Sequence, residues 1–264
     1  MKTVGSHLRV SGLTFERGTR RILDSIDLRF ESGCVTAVLG PNGAGKSTLL
    51  NCIAGLLDPP WGEIQLDNVS LAKVTALERA RRIAFLPQTP EIAWPIDVEA
   101  LVGLARIPFR RTASDAENQA AVTRAMERTQ VTQWSKRIVT TLSGGERARA
   151  LLARIFAGEP EWILADEPFT GLDPAHQFEA ADLLRSFAAN GGGVLLTIHD
   201  LALAARVADR IVILNEARIV ADGTPQAALT PETLRAVYGI DAQWLSVRNR
   251  GAPMIAIHGR HAAG

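Results

Sequence analysis

An apolar run, Val35 to Leu39, leads into Gly40-Pro41-Asn42-Gly43-Ala44-Gly45-Lys46-Ser47-Thr48, and Leu49-Leu50-Asn51-Cys52-Ile53-Ala54 follows. The order is buried strand, glycine-rich turn, helix. The turn matches G-x-x-x-x-G-K-[ST], the phosphate-binding P-loop. Phosphate oxygens need many donors at close range, and glycine lets the backbone fold tightly around an anion. A helix starting at Lys46 points free N–H groups and its positive dipole end at the same place. Lys46 brings a full charge towards the β- and γ-phosphates of a nucleotide. Ser47 offers a hydroxyl to Mg²⁺, and Thr48 a further contact. The bland alternative is a turn that binds nothing. The stretch alone does not choose between a kinase, a GTPase and a motor.

Composition narrows the class. The chain has 264 residues, 47% hydrophobic and 22% charged, which suits one or two globular domains with an ample core. A net charge of +1 implies no pull towards nucleic acid or an acidic membrane, so no nucleic-acid partner is expected. Two cysteines, Cys34 and Cys52, argue against a disulfide framework and suit a reducing cytosol. The N-terminal residues lack the apolar centre of a signal peptide. Apolar runs such as 194–198 and 211–214 are strand-sized, well short of the ~20 residues a membrane helix needs. Work at a membrane would therefore go through a partner.

Along the chain, residues 8–15 and 26–30 alternate apolar with polar, as antiparallel strands do, with a turn at Arg17-Gly18-Thr19-Arg20. The P-loop helix is expected to end at Gly55, with Pro59-Pro60 beyond it. Strands are expected at 62–66 and 83–86, and a helix at 75–82. The character changes at Pro87. Residues 87–96 hold three prolines, then helical patterns follow at 97–106, 114–128 and 144–156. Ser114 and Glu117 have capping-box spacing. Residues 96–157 thus read as a helical insert in an α/β core formed by 1–95 and 158–240, with a tail at 241–264. The core resumes as strand 162–165, helix 174–189, strand 194–198, helix 200–208 and strand 210–214. Short helices around Pro225 and Pro231 and a final strand pair, 243–247 and 254–258, complete the chain.

Four further features carry chemistry. Trp162-Ile163-Leu164-Ala165-Asp166-Glu167 is an apolar strand ending in two carboxylates. Asp166 suits Mg²⁺, and Glu167 suits orienting or deprotonating a water in line with a γ-phosphate. A strand-end acidic pair that merely caps the next turn is the alternative. Leu142-Ser143-Gly144-Gly145-Glu146 precedes a helix, with Ser143 as N-cap and two glycines exposing N–H groups, a second anion site or an ordinary capped start. Gln88 follows a strand on the proline-rich loop. His199 ends Thr197-Ile198-His199-Asp200, where it could equally cap a helix.

In chain order, from the P-loop through Gln88, Leu142 to Glu146, Asp166-Glu167 and Gly171-Leu172-Asp173 to His199, the chain resembles the ATP-binding cassette (ABC) ATPase family over about residues 8–240. Leu142-Ser143-Gly144-Gly145-Glu146 is the distinguishing mark. The resemblance implies an α/β fold: a P-loop NTPase core with an antiparallel β subdomain and an inserted α-helical subdomain. It makes Gly40, Pro41, Asn42, Gly43, Ala44, Gly45, Lys46 and Ser47 the Walker A motif, and Ser143, Gly144, Gly145 and Glu146 the signature. Asp166 ends Walker B, Glu167 is the catalytic carboxylate, Asp173 belongs to the D-loop and His199 is the switch histidine. Gln88 is the Q-loop glutamine, aligning the γ-phosphate and metal; Ser47, Gln88 and Asp166 form the Mg²⁺ set. Arg17 stands where the family usually stacks an aromatic residue on adenine, and an arginine can stack by its planar guanidinium or simply be a solvated turn residue. Phe169 replaces a common threonine.

Two cassettes of this family pack head to tail, with ATP between Walker A of one and the signature of the other. The implied activity is ATP hydrolysis coupled to transport through integral membrane permease subunits, placing the chain at the cytoplasmic face of the membrane. A substrate-binding protein would take part indirectly. A soluble ABC ATPase of DNA repair or translation is the alternative; such proteins usually carry coiled-coil inserts or two cassettes. Leu172-Asp173-Pro174-Ala175-His176-Gln177, Arg106-Ile107-Pro108 and Val237-Tyr238-Gly239-Ile240 are similar to the iron-siderophore, haem and cobalamin import group. Other cargo, such as a metal ion or an exported substrate, stays open. The surface around Pro87, Gln88, Pro90, Trp94 and Pro95 is the expected permease dock, or a loop packed on the insert.

Overall fold

The computed structural model describes residues 5–90, 92, 95–245 and 254–260. Two long strands, β1 (His7–Arg17) and β2 (Arg20–Glu31), pair antiparallel around the turn at Gly18. β3 (Val35–Leu39) runs into the P-loop and α1 (Lys46–Ile53). Then come β4 (Trp61–Leu66), β5 (Val69–Ser70), α2 (Ala76–Arg82) and β6 (Ile83–Leu86). A helical stretch holds α3 (Val98–Gly103), α4 (Asp115–Arg128) and α5 (Gly144–Ala157). The chain returns through β7 (Trp162–Asp166), α6 (Pro174–Ala189), β8 (Gly193–Thr197), α7 (Leu201–Val207), β9 (Arg210–Asn215) and β10 (Arg218–Gly223). It closes with α8 (Pro225–Ala228), α9 (Pro231–Tyr238), β11 (Ile240–Leu245) and β12 (Met254–Arg260).

The strands form a four-stranded sheet, β2-β1-β4-β5, a six-stranded sheet, β10-β9-β3-β8-β7-β6, and a β11-β12 pair. In the second sheet β6, β7, β8, β3 and β9 are parallel and β10 is an antiparallel edge. Strands β3, β7 and β8 are buried at every position, as parallel strands covered on both faces must be. Because side chains alternate, one strand feeds two cores. Val38, Leu164, Leu195 and Val212 join α1 and the antiparallel sheet. Ala37, Ile163, Ala165, Leu196 and Ile213 face α5, α6 and α7.

Element ends differ from the sequence expectation for local reasons. The stretch expected as helix 97–106 leaves the α form after Gly103 and tightens to a 3-10 segment, Leu104–Phe109, because Pro108 offers no N–H. Helix α1 ends at Ile53; Gly55, at φ 66°, returns its N–H to the Cys52 carbonyl at 2.9 Å. Gly193, expected among the glycines closing a helix, starts β8 instead, since the Trp162 ring fills the space a Cβ would take. Strands β5 and β10 lack a clear apolar alternation and were not expected. The expected capping box at Ser114 and Glu117 is present. Trp94 lies outside the described residues, as do 246 and 247 of the expected final strand. Among the described residues no helix is long and apolar enough to cross a membrane.

Candidate functional site

Four loops converge because four neighbouring parallel strands, β6, β7, β8 and β3, end on the same side of one sheet. Gln88 follows β6, Asp166 and Glu167 follow β7, His199 follows β8, and the P-loop follows β3. Val38 pairs with Thr197, and Thr197 with Asp166, so the loop starts are in register. This is where open α/β sheets bind ligands.

The P-loop backbone demands glycine at two points. A Cβ on Gly40, at φ 146°, would lie 2.1 Å from the Leu214 carbonyl oxygen; one on Gly45, at φ 107°, would lie 2.6 Å from that of Ile22. Lys46 Nζ donates to the Gly40 and Pro41 carbonyls at 2.8 and 3.0 Å. Burial pushes its ammonium below the usual lysine range, while Glu167 and Asp166 pull it back up. Among the described α-helices α1 alone has no side-chain cap, which leaves its first N–H groups free for an anion. On α9, burial pushes the Tyr238 phenol above its usual range, against a smaller opposing effect of the Gly40 backbone.

A cavity opens in front of the loop, lined by Arg17, Arg20, Ile22, Asn42, Gly43, Gly45, Lys46, Ser47, Thr48, Glu167 and His199. Glu167 is its acid. The Glu167 backbone sits at φ 51°, strained for a side chain of this kind. Its Oε2 accepts from Gln88 Nε2 at 2.7 Å and from Thr170 Oγ1 at 3.2 Å, and His199 Nε2 donates to Oε1. Beneath it Thr197 Oγ1 donates to Asp166 Oδ1 at 2.6 Å and accepts the Glu167 N–H at 2.8 Å. Ser47, Asp166 and Gln88 offer a hydroxyl, a carboxylate and an amide, hard oxygen donors of the kind Mg²⁺ takes alongside phosphate and water.

The remaining sequence candidates lie elsewhere. Gly40 and Pro41 hold Lys46 and do not line this cavity; Ala44 is buried beside it. Ser143, Gly144, Gly145, Glu146 and Asp173 do not line it either. Ser143 caps α5, accepting the Glu146 N–H at 3.3 Å, and the Glu146 carboxylate returns to the Ser143 N–H at 2.9 Å. The two glycines were expected to expose their N–H groups, but Gly145 is buried under the His176 ring and only Gly144 is exposed. Asp173 caps α6, accepting the His176 N–H at 3.0 Å. A second cavity, of about 230 Å³, lies behind Glu167 and is walled by Pro87, Gln88, Pro90, Gly144 and Arg147 among others. Sequence reasoning gave no role to Arg20, on the cavity rim, or to Thr197. A polar residue at the end of an otherwise apolar strand was the available signal for Thr197.

A P-loop, a strand-end acid pair, and a glutamine and histidine around the second acid define a nucleoside-triphosphatase. Comparison with known proteins gives the family. The ABC transporter family model matches residues 23–170. The hemin import ATP-binding protein HmuV of Pseudomonas putida is 44% identical over 257 residues, covering 94% of this chain and 98% of that one. The protein of the same name from Rhodococcus jostii is 40% identical over 248 residues, covering 94% and 85%. A solved structure described as an inward-facing, metal-chelate type ABC transporter aligns with TM-score 0.83 at 26% identity, covering 96% of this chain and 97% of that one. The dimeric structure of a bacterial ABC transporter cassette aligns at 0.75 and 25%, covering 83% and 99%. The chain belongs to the ABC transporter family, as an ATP-binding cassette with the ABC ATPase fold, and its activity is ATP hydrolysis coupled to transport.

Proposed function

We propose that this chain drives the import of haem or a related iron chelate, working as a head-to-tail pair under a separate membrane permease. The cargo is supported by relatives about 40% identical over most of the chain that are named for hemin import. The observation that carries the chemistry is Glu167, held between Gln88 and His199 at the wall of the P-loop cavity.

In this proposal Lys46 leaves the Gly40 and Pro41 carbonyls for the β- and γ-phosphates, a move its burial favours only when a counter-anion arrives. Arg17, beside Ile22, stacks on the adenine, and Arg20 adds charge at the rim. Ser47, Asp166 and Gln88 hold Mg²⁺, which when bound neutralises phosphate charge. Glu167 takes a proton from, or aligns, the attacking water. His199 and Gln88 fix the carboxylate and then meet the γ-phosphate. Ser143 and its helix end, with Asp173, reach the nucleotide held by a second copy. ATP then joins the copies, and hydrolysis parts them. Converting a pair population from 1:99 to 99:1 takes about 5.5 kcal/mol of differential affinity. A few charge-assisted bonds of about 1.5–3 kcal/mol each supply that.

The core at 1–95 and 158–240, the insert at 96–157 and the tail at 241–264 are the units of that motion. The permease docks beside the Gln88 loop. A separate apolar groove, reached by Phe85 of the strand that leads into that loop, is lined also by Leu56, Ala80, Leu104 and Ile155. Within it the Arg154 guanidinium has no hydrogen-bond or ion-pair partner among the described residues. The chain would thus be peripheral, at the cytoplasmic face, with a substrate-binding protein on the far side.

The test is Glu167→Gln. ATP binding should persist while turnover falls by about 10²–10⁴-fold and an ATP-bound dimer accumulates on size-exclusion chromatography. Undiminished ATPase sinks the role. Lys46→Ala should instead weaken nucleotide binding itself. For the cargo, the cassette reconstituted with its permease should hydrolyse ATP faster with hemin than with cobalamin or ferric siderophores; no preference refutes haem.

A further inference from the structure

His176 has no part in the chemistry above, yet its side chain occupies a decisive place. It lies in the first turn of α6 and turns back over the start of α5. A Cβ built on Gly145 would stand 2.0 Å from His176 Cδ2 and 2.4 Å from Cγ and Nε2. An L side chain there would have to displace the ring. The imidazole face therefore lies against the Cα of Gly145, and the ring accounts for the burial of that glycine. Gly145 is in ordinary helical conformation, so backbone geometry does not require a glycine there. Glycine inside a helix costs about 1 kcal/mol relative to alanine, and the packed ring gives a reason for it.

The ring is itself held. His176 Nδ1 donates to Glu179 Oε2 at 3.0 Å, and Nε2 stands 3.9 Å from Asp173 Oδ2. Glu179 Oε2 also faces Arg149 Nη1, from α5, at 3.5 Å. The Arg149 guanidinium stacks on Trp134, 4.8 Å from the ring centroid. A chain of contacts thus runs from Gly145 through His176 and Glu179 and back to α5 through Arg149. On the other side of the helix start, a Cβ on Gly144 would lie 3.7 Å from the Gly171 carbonyl oxygen. The two helix N-termini, capped by Ser143 and Asp173, begin side by side with the imidazole as the solid between them.

We propose that His176 is a positioning residue for the ATPase: clamped on Gly145 and held by Glu179, it sets Ser143 and Asp173 at one spacing so that both meet the partner copy's nucleotide together. This rests on the reading that Ser143 acts across a dimer. Removing the ring leaves a gap under Gly145, and the start of α5 can shift against α6. The P-loop half of the site is untouched, because His176 does not line its cavity.

The experiment compares His176→Ala, His176→Gln and Ser143→Ala in the full chain, with Mg-ATP as ligand. His176→Ala should lower kcat about ten- to a hundredfold, the scale of an ångström of misplacement. ATP affinity of the single chain should stay within about twofold, and the protein concentration giving half-maximal turnover should rise. His176→Gln, with a planar group able to reach Glu179, should recover much of the loss. It also serves if the alanine variant does not fold. Gly145→Ala should destabilise the wild type more than it does the His176→Ala background, which reports the ring-on-glycine contact directly. Unchanged kcat in His176→Ala while Ser143→Ala is impaired overturns the proposal. Unchanged kcat in both overturns the dimer reading on which it rests. Equal losses of kcat and single-chain ATP affinity show general damage and also overturn it.

Discussion

Thr197→Val isolates the least visible member of the site. Thr197 is wholly buried, and valine has its shape. The substitution removes the hydroxyl that donates to Asp166 Oδ1 at 2.6 Å and accepts the Glu167 N–H at 2.8 Å. A bond to an ionised carboxylate contributes about 1.5–3 kcal/mol, and an orphaned N–H costs about 1–3 kcal/mol. The added methyl returns about 0.8 kcal/mol. With Glu167 only part-buried, the net loss is about 1.5–4 kcal/mol by the same magnitudes. Catalysis should suffer more than stability. The Thr197 hydroxyl anchors the Glu167 N–H of a backbone that sits at φ 51°; losing that anchor should let the residue relax and draw its carboxylate from between Gln88 and His199. A misplacement of that kind costs about 10²-fold in kcat. Urea unfolding measures the first loss, and steady-state hydrolysis at saturating Mg-ATP the second. Thr197→Ser keeps both bonds and should lose only about 0.8 kcal/mol with near-normal kcat. If the valine variant unfolds within about 0.5 kcal/mol of wild type, the range of an ordinary surface change, and turns over normally, the account of Thr197 is wrong.

Other outcomes are also specific. The Ser143 N–H holds the Glu146 carboxyl below the ordinary 4.5, against a smaller opposing effect of burial and with help from Arg137. A depressed folded pKa means the capping box contributes above the ordinary value and is lost as pH falls through the folded one. NMR titration of the Glu146 carboxyl should give a midpoint below 4.5; one at or above it refutes the cap. Burial pushes the Cys52 thiol up to about 12 and raises the Cys34 thiol too, but Cys34 keeps partial exposure while Cys52 is buried. Under mildly alkaline native conditions a thiol reagent should label Cys34 alone, and both cysteines after unfolding. Fast native labelling of Cys52 would show that α1 opens.

Local chemistry was legible from residues alone. The P-loop, the strand-end acids and the cap at Ser143 each need only neighbours in sequence, because glycine geometry, strand alternation and helix capping act over a few residues. Gln88, Glu167 and His199 were identified separately, but the bonds joining them were not, because those bonds depend on β6, β7 and β8 lying side by side. The register that puts Thr197 under Asp166 is likewise a property of the sheet. At Gly145 the sequence reading took the glycine as a way to expose an N–H. The structure puts another reason in its place, the His176 ring packed against it from another helix. The sequence by itself determined that this chain binds a phosphate and which family it joins, since a P-loop and a signature helix are contiguous in the chain. Only the tertiary structure decided what those groups touch, since parallel strands far apart in sequence become neighbours only when the sheet is assembled.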